Sequence, residues 1–533
     1  MSREKNQSKQ SFMGGVTVLA VSTVFVKICG ALYKIPLNNI LGDEGVTHFT
    51  SAYNIYSFLL TLSTAGLPLA LSKLISEADA TGRRNQMRRC FNTAMALFVA
   101  VGAVGTAAML FFTEELAAWM NNSMAYWPIK ALSVSVICVS VMCAYRGFAQ
   151  GRQNMVPTAV SQFIEAFVKL LIGLPLAWYL IDIGKDLEIG AAGAIVGVSA
   201  GTVLAMFYMI WDYRRHRTPI LWGTDKAQSR GTILKRLLWL GIPITIGQSG
   251  MSLLNLLDQR IVMGQLQDVL GLAEREAAAL YGQYTFSSTL FNLPASFLPA
   301  VAISLIPAVS VAVTRRDHRE VNRVVTTSFR LIAMLAIPAG VGLSVLAGPI
   351  LRLLYPAQQE AAQAATYHLQ LLGIASIFVC LMLLTNGILQ AHDLAKIPVL
   401  TMFLGGLVKL AMNYVLIGNP DINIKGAPIG TLTCYALISA INLAVVYRVA
   451  EEKPRYLHLF GKPLAASVLM GLCAHFSYRF LSGVLCNTLA TLGAIGIAVV
   501  VYLVLVLALR VITREDLEMV PKGDKIARIL HIR

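Results

Sequence analysis

FAQGRQNMVPTAVSQFIEAFVKL, residues 148–170, has a counterpart 240 residues further on, ILQAHDLAKIPVLTMFLGGLVKL, residues 388–410. At that offset Gln150 meets Gln390, Phe163 meets Phe403, and Val168-Lys169-Leu170 meets Val408-Lys409-Leu410. Downstream, GAIVG at 193–197 echoes GAPIG at 426–430; upstream, Ser76 and Arg89 match Ser310 and Arg323 at an offset of 234. Self-similarity over such a period marks a chain built from two related halves. Both halves begin on the same side of a membrane, so the repeat is parallel, with its pseudo-axis along the membrane normal.

The membrane follows from composition. Of 533 residues, 56% are hydrophobic and 14% charged, and the mean hydropathy is +0.65. A soluble chain of this size cannot hide so much apolar surface. Runs of about 20 apolar residues cross a bilayer as helices. About fourteen such runs are expected, the first beginning near Gly14 and the last near Thr488, with short connections between them. The expected fold is therefore an all-α polytopic membrane protein. Residues 1–225 form an N-lobe of six helices, 226–450 a C-lobe of six, and 451–533 two extra helices and a basic tail.

The net charge of +16 is mainly a topology signal. Even-numbered loops carry GRRNQMRR (82–89), Arg146 with Arg152, YRRHR (213–217), LKR (234–236), RRDHRE (315–320), Lys396 and EEKPR (451–455). Odd-numbered loops carry GDEG (42–45), TEEL (113–116), KDLE (185–188) and EREA (274–277). By the positive-inside rule both termini are cytoplasmic. These charges serve orientation, and no nucleic-acid partner is expected. The eight cysteines form no C-x-x-C, which argues for packing residues rather than a metal site or disulfide framework.

Charges inside the spans carry the functional reading. A Lys, Arg or Asp at mid-bilayer costs roughly 2.5–3.5 kcal/mol on insertion scales, so such residues are functional candidates. Lys27 and Lys34 lie two turns apart on one helix face, with Gly30 between them; Lys73, Lys169, Arg260 and Lys409 follow in later spans. Against these bases stand Glu165, four residues before Lys169 and expected as its local counter-ion, and the pair Asn255 and Asp258. The set is net positive, which favours an anionic cargo over a cationic drug. The six bases would bind substrate. Glu165, Asp258 and Asn255 would act in coupling or as counter-ions. Gly30, Pro36, Pro294 and Pro299 are candidate hinges, because Pro removes a helix hydrogen bond and invites a kink.

No Walker motif, G-x-S-x-G or H-E-x-x-H is present. The chain is read as a transporter and not an enzyme, with neither cofactor nor metal.

KICGALYKIPLNNILGDEG (27–45), GLPLALSKLISEA (66–78), RGFAQGRQNMVPTAVSQFIE (146–165) and LPASFLPAVAISLIPAVS (293–310) resemble the polysaccharide-exporter branch of the multidrug/oligosaccharidyl-lipid/polysaccharide (MOP) flippase superfamily. Within it the chain looks closest to the YtgP/SpoVB-type group, similar to MurJ lipid II flippases. The resemblance implies a V-shaped MATE/MurJ-like fold, a cationic central cavity, and a lipid-tail groove made by the last two helices. In MurJ-like proteins a helix 1 arginine precedes a glycine by three; Lys27 and Gly30 hold those places. The implied cargo is an undecaprenyl-pyrophosphate-linked glycan, most of all lipid II, moved from the inner to the outer leaflet of the bacterial plasma membrane. Cell-wall or sporulation machinery would be its protein partners. The rival readings are a flippase for another lipid-linked polysaccharide of capsule or spore cortex, a cation-coupled drug exporter, and a non-transporting scaffold.

Overall fold

A computed structural model describes residues 2–216, 225–296, 318–450, 453–509 and 511; Pro299 lies outside the described residues. Within them every regular element is helical. The elements run α1 (Ser2–Thr64), α2 (Leu67–Ala80), α3 (Arg84–Phe111), α4 (Thr113–Trp119), α5 (Tyr126–Gly151) and α6 (Val156–Val168). A π-turn, Lys169–Gly173, leads into α7 (Leu174–Asp182), α8 (Leu187–His216), α9 (Arg230–Gly264) and α10 (Glu274–Ser296). Then come α11 (His318–Val345), α12 (Ala347–Leu354), α13 (Gln359–Ala364), α14 (Thr366–Ala391), α15 (Lys396–Ile417), α16 (Gly426–Val449), α17 (Tyr456–Leu481) and α18 (Asn487–Ala508).

Twelve stretches of the described residues are long and apolar enough to span a membrane, against the fourteen expected. The difference has two sources. The first two expected runs lie in one stretch, Phe25–Ala80, whose helix α1 folds back at Gly42, where φ is 68° and ψ −174°. That is a left-handed position which glycine takes without steric cost. The eighth expected run starts in α10 and continues into residues outside the description.

Two pairs of helices keep the offsets read from sequence. α3 and α11 each have 28 residues and start 234 positions apart; α5 and α14 each have 26 and start 240 apart. The turns after α5 and α14 are the same turn. Asn154 N–H donates to the Ala149 carbonyl, and Leu394 N–H to Leu389, both at i→i−5. Gln153 and Asp393, again 240 apart, both sit left-handed, with φ of 59° and 60°. This is a Schellman-type helix ending, with a polar residue where glycine is usual. The halves diverge just beyond. α15 runs unbroken through Lys409, whereas the matching helix in the first half loosens into a π-turn that starts at Lys169.

The chain packs as two compact units, Met1–Gly282 and Gln283–Arg533. In the first, α5 is central and packs against α1, α2, α3 and α8. The helix α9, which the repeat places at the head of the second half, packs here along α1 and α2. Their seam is tight at Gly66, which breaks α1 from α2. Its N–H donates to Thr245 Oγ1 at 3.1 Å, and a Cβ on it would overlap the Gly241 carbonyl oxygen. Pro68 therefore sits in the first turn of α2, where its missing N–H costs nothing. In the second unit α14 packs on α11 and α16, α15 on α16, and α17 bridges α11 and α18.

Candidate functional site

The first arm of α1 presents Lys27, Gly30, Tyr33 and Lys34. Lys27 and Lys34 are exposed, and a Cβ added at Gly30 would meet nothing within 4 Å. This face of a membrane-spanning helix is therefore open, not packed. Tyr33 is the exception: its ring is 1% exposed and its hydroxyl donates to the Ala194 carbonyl of α8 at 3.0 Å. That bond, buried among helices, pins the arm and fixes where Lys34, the next residue, points.

Lys169 reaches the same place from the π-turn. Its ammonium lies over the Tyr33 ring, 4.5 Å from the centroid. Lys34, Glu165 and Cys29 are all within electrostatic range of it. A cation over an aromatic face gains about 0.5–2 kcal/mol, the more so where water is scarce. π-turns recur at functional sites because the extra residue re-aims a side chain; here the re-aimed side chain is a lysine.

The expected pairing of Glu165 with Lys169 is absent. Glu165 Oε2 instead accepts from the Arg146 guanidinium at 2.6 Å, the side chains 27% and 14% exposed. Arg146 also donates to Ser161 Oγ from two nitrogens, at 2.8 and 3.0 Å. The helix is regular from Glu165 to Lys169, whose N–H still bonds the Glu165 carbonyl, so it is the competing Arg146 that takes the carboxylate. Arg146 stands at the end of α5 beside Arg152, where it read as a topology charge. The missed signal was its place at the head of the segment 146–165, with Glu165 at the other end. Arg146 clamps that hairpin. By occupying Glu165 it leaves Lys34 and Lys169 without a carboxylate at ion-pair distance among the described residues.

The second half answers this cluster with neutral groups. Asn386 and Thr401 stand 240 residues after Arg146 and Ser161, and Gly405 stands at the place of Glu165. Asn442 joins them, donating to Asn386 Oδ1 at 2.8 Å and accepting from Thr401 at 3.0 Å. The charged pair thus belongs to the first half alone. Lys409, at the place of Lys169, is half-buried on continuous helix in the second unit.

The remaining candidates scatter. Lys73 is exposed on α2, one turn before Glu77, which pairs with Arg236 at 2.8 Å. Arg260 is expected as a substrate ligand, but it reaches Asp268 at 3.8 Å beyond the end of α9. Asp258 is buried and Asn255 exposed on the same helix. Beside them runs a polar seam that the sequence did not announce: Gln259 accepts from Asn54 at 2.6 Å and donates to Ser51 at 2.7 Å. Asn122 Nδ2 donates to the same Ser51 at 2.9 Å and its Oδ1 lies 2.8 Å from His48 Nδ1. Of the expected hinges, Pro36 lies inside α1, whose non-helical point is Gly42, and Pro294 inside α10.

In the second unit an apolar groove of about 620 Å³ opens between α11, α17 and α18. Leu335, Leu343, Ile350, Met470, Ile495 and Val499 are among the residues that line it.

Comparison with known proteins places this architecture. Residues 12–312 match the family described as polysaccharide biosynthesis protein, and residues 243–415 match MatE. Stage V sporulation protein B of Bacillus subtilis (strain 168) is 24% identical over 518 residues, covering 96% of this chain and 98% of that protein. Lipid II flippase MurJ of the same organism is 25% identical over 421 residues, covering 76% and 77%. Among solved structures, lipid II flippase MurJ in an inward closed conformation superposes with a TM-score of 0.69 at 15% identity, covering 92% of this chain and 98% of that one. An inward-facing multidrug-resistance MATE transporter gives 0.65 at 14%, covering 79% and 96%. The fold is that of the MOP superfamily, and with the match spanning more than half its length, the chain belongs to the polysaccharide biosynthesis protein family.

Proposed function

We propose that the protein flips an undecaprenyl-pyrophosphate-linked glycan, lipid II first among them, from the inner to the outer leaflet of the plasma membrane. One observation carries the proposal. Lys34 and Lys169 sit in electrostatic reach of each other, inside spans, while the nearby Glu165 is engaged by Arg146. Two ammonium groups held so form a standing site for a diphosphate. Lys binds phosphate as a point charge and needs no fixed fork. The apolar groove of the second unit suits the prenyl tail. The basic loops face the cytoplasm, with both termini, and the lobes 1–225 and 226–450 alternate by rocking, with 451–533 appended. Lys27 and Lys73 would extend the cationic surface of the first unit, and Lys409 would be the cationic half-site of the second. Asp258 and Asn255 would serve coupling, and Gly30, Pro36, Pro294 and Pro299 bending.

The test is leaflet exchange of lipid II in vesicles by the purified protein and by Lys34→Ala/Lys169→Ala. A flippase of this kind moves the lipid, and the double variant does not. A second reading, another lipid-linked glycan of the spore cortex, draws on the similarity to stage V sporulation protein B, which covers 96% of the chain. Rescue of cells depleted of their lipid II flippase separates the two; rescue favours lipid II, and failure with normal expression favours the other glycan.

A further inference from the structure

The lysine patch continues into an aromatic ladder on the second arm of α1. From Tyr33, which carries Lys169 on its face, the ring of Phe49 is 6.1 Å away, and Tyr53 stacks on Phe49 at 5.8 Å with an interplanar angle of 12°. Tyr56 follows at 5.9 Å, tilted by 55°. Three of the four rings are sealed: Tyr33, Phe49 and Tyr56 are 1%, 5% and 4% exposed. Tyr53 is 38% exposed. Its hydroxyl has no hydrogen-bond partner among the described residues, and Glu165 lies within electrostatic range of it.

Packing does not account for this. A tyrosine in a core buries its ring, and a lipid-facing tyrosine sits at the interface with its hydroxyl in water. Tyr53 does neither. One face is stacked on Phe49, which fixes its plane, and the ring stays 38% exposed two rings along from the Tyr33 that carries Lys169. A flat, rigid, pre-stacked aromatic face next to a phosphate site suits a pyranose ring. The axial C–H groups of a sugar carry partial positive charge and meet the negative face of the π system.

We infer that Tyr53 is the sugar platform of the site: the first ring attached to the pyrophosphate stacks on Tyr53 while Lys34 and Lys169 hold the phosphates. The inference rests on the reading of this patch as a site for a lipid-linked glycan, and adds that the protein distinguishes a glycosylated pyrophosphate lipid from a bare one. Specificity would then come from the aromatic face and affinity from the lysines.

The test is binding of two probes to the full-length protein in detergent. One is undecaprenyl pyrophosphate. The other is the same lipid with a single N-acetylhexosamine on its pyrophosphate. An aromatic stack is worth about 0.5–1.5 kcal/mol, so the wild type should prefer the glycosylated probe by roughly 2- to 12-fold. Tyr53→Leu fills the space against Phe49 without a π face; it should abolish the preference and leave binding of the bare lipid unchanged. Tyr53→Phe should keep the preference, since the face and not the hydroxyl does the work. A preference that survives Tyr53→Leu, or is absent from the wild type, overturns the platform while leaving the anion site standing. If Lys34→Ala/Lys169→Ala binds both probes as tightly as the wild type, the anion site itself falls, and the platform with it.

Discussion

Arg146→Gln is the perturbation that presses hardest on the arrangement of charges. The Arg146–Glu165 contact is 2.6 Å, with the two side chains 14% and 27% exposed. Exposed pairs contribute about 0–1 kcal/mol, whereas breaking a fully buried one costs about 3–5 kcal/mol. Partial burial, together with the loss of two bonds to Ser161, puts the cost at about 2–3 kcal/mol. The apparent melting temperature in detergent should drop by roughly 2–3 °C. The functional effect has a different origin. Released from Arg146, Glu165 is one turn from Lys169 and free to neutralise it. A carboxylate drawn to 4 Å from an ammonium gains about 4 kcal/mol at the effective dielectric of a partly solvated protein site. An incoming pyrophosphate must displace that carboxylate, and recovering part of the energy leaves a loss of about 10- to 100-fold in transport. The double variant Arg146→Gln/Glu165→Gln removes the competitor, so it should regain transport while remaining less stable than the wild type. Leaflet exchange in vesicles, with melting curves on the same preparations, reads both quantities. An Arg146→Gln protein that melts lower but transports normally, or a double variant no faster than the single, would refute this competition between carboxylate and cargo.

Further outcomes follow from other parts of the structure. Lys169→Ala should lower transport at least about tenfold, and Lys169→Arg should keep most of it, because the charge and its seat over Tyr33 survive. Gly66→Val should lower the melting temperature by a cost of about 1–3 kcal/mol, since the added carbons meet the Gly241 backbone of α9. Gly342→Leu, in the apolar groove, should slow transport of a full-length undecaprenyl lipid while sparing a short-chain analogue, measured in the same vesicles. Asp225 should show acid sensitivity. Burial pulls its carboxyl up, but the N–H groups of Asn85 and Gln86, at 2.8 and 3.0 Å, outweigh it and hold it below the usual range. A depressed carboxylate stabilises the fold above its unfolded value of about 3.9, and that contribution is lost as pH falls through the folded value. Hydrogen exchange of residues 225–229 should therefore rise as pH drops below about 4 relative to Asp225→Asn, after correction for the intrinsic rate.

The helical plan was legible because its signals are long. Twenty-residue apolar runs and a 240-residue offset survive individual substitutions, and Gln153 with Asp393 shows the repeat holding even in backbone angles. The candidate site was suggested at Lys34 and Lys169, because a base inside an apolar span is costly and packing alone gives no reason for it. It was not legible where partners are decided by packing. Glu165 and Lys169 looked like neighbours, since spacing is all a sequence offers, and the approach of α5 hands Glu165 to Arg146. Arg260 read as a substrate ligand, and its contact with Asp268, eight residues on, could not be told from spacing alone. The aromatic ladder was hidden for a similar reason: nothing in the spacing of Phe49, Tyr53 and Tyr56 says which ring stays exposed.

The most direct test of lipid flipping at a lysine-held diphosphate is the rate at which purified protein equilibrates lipid II between the leaflets of a vesicle, compared with Lys34→Ala/Lys169→Ala at equal incorporation. The predicted result is exchange with the wild type and none above protein-free vesicles with the double variant. A double variant as fast as the wild type, or a well-folded wild type that moves neither lipid II nor any other pyrophosphate-linked glycan, would contradict it.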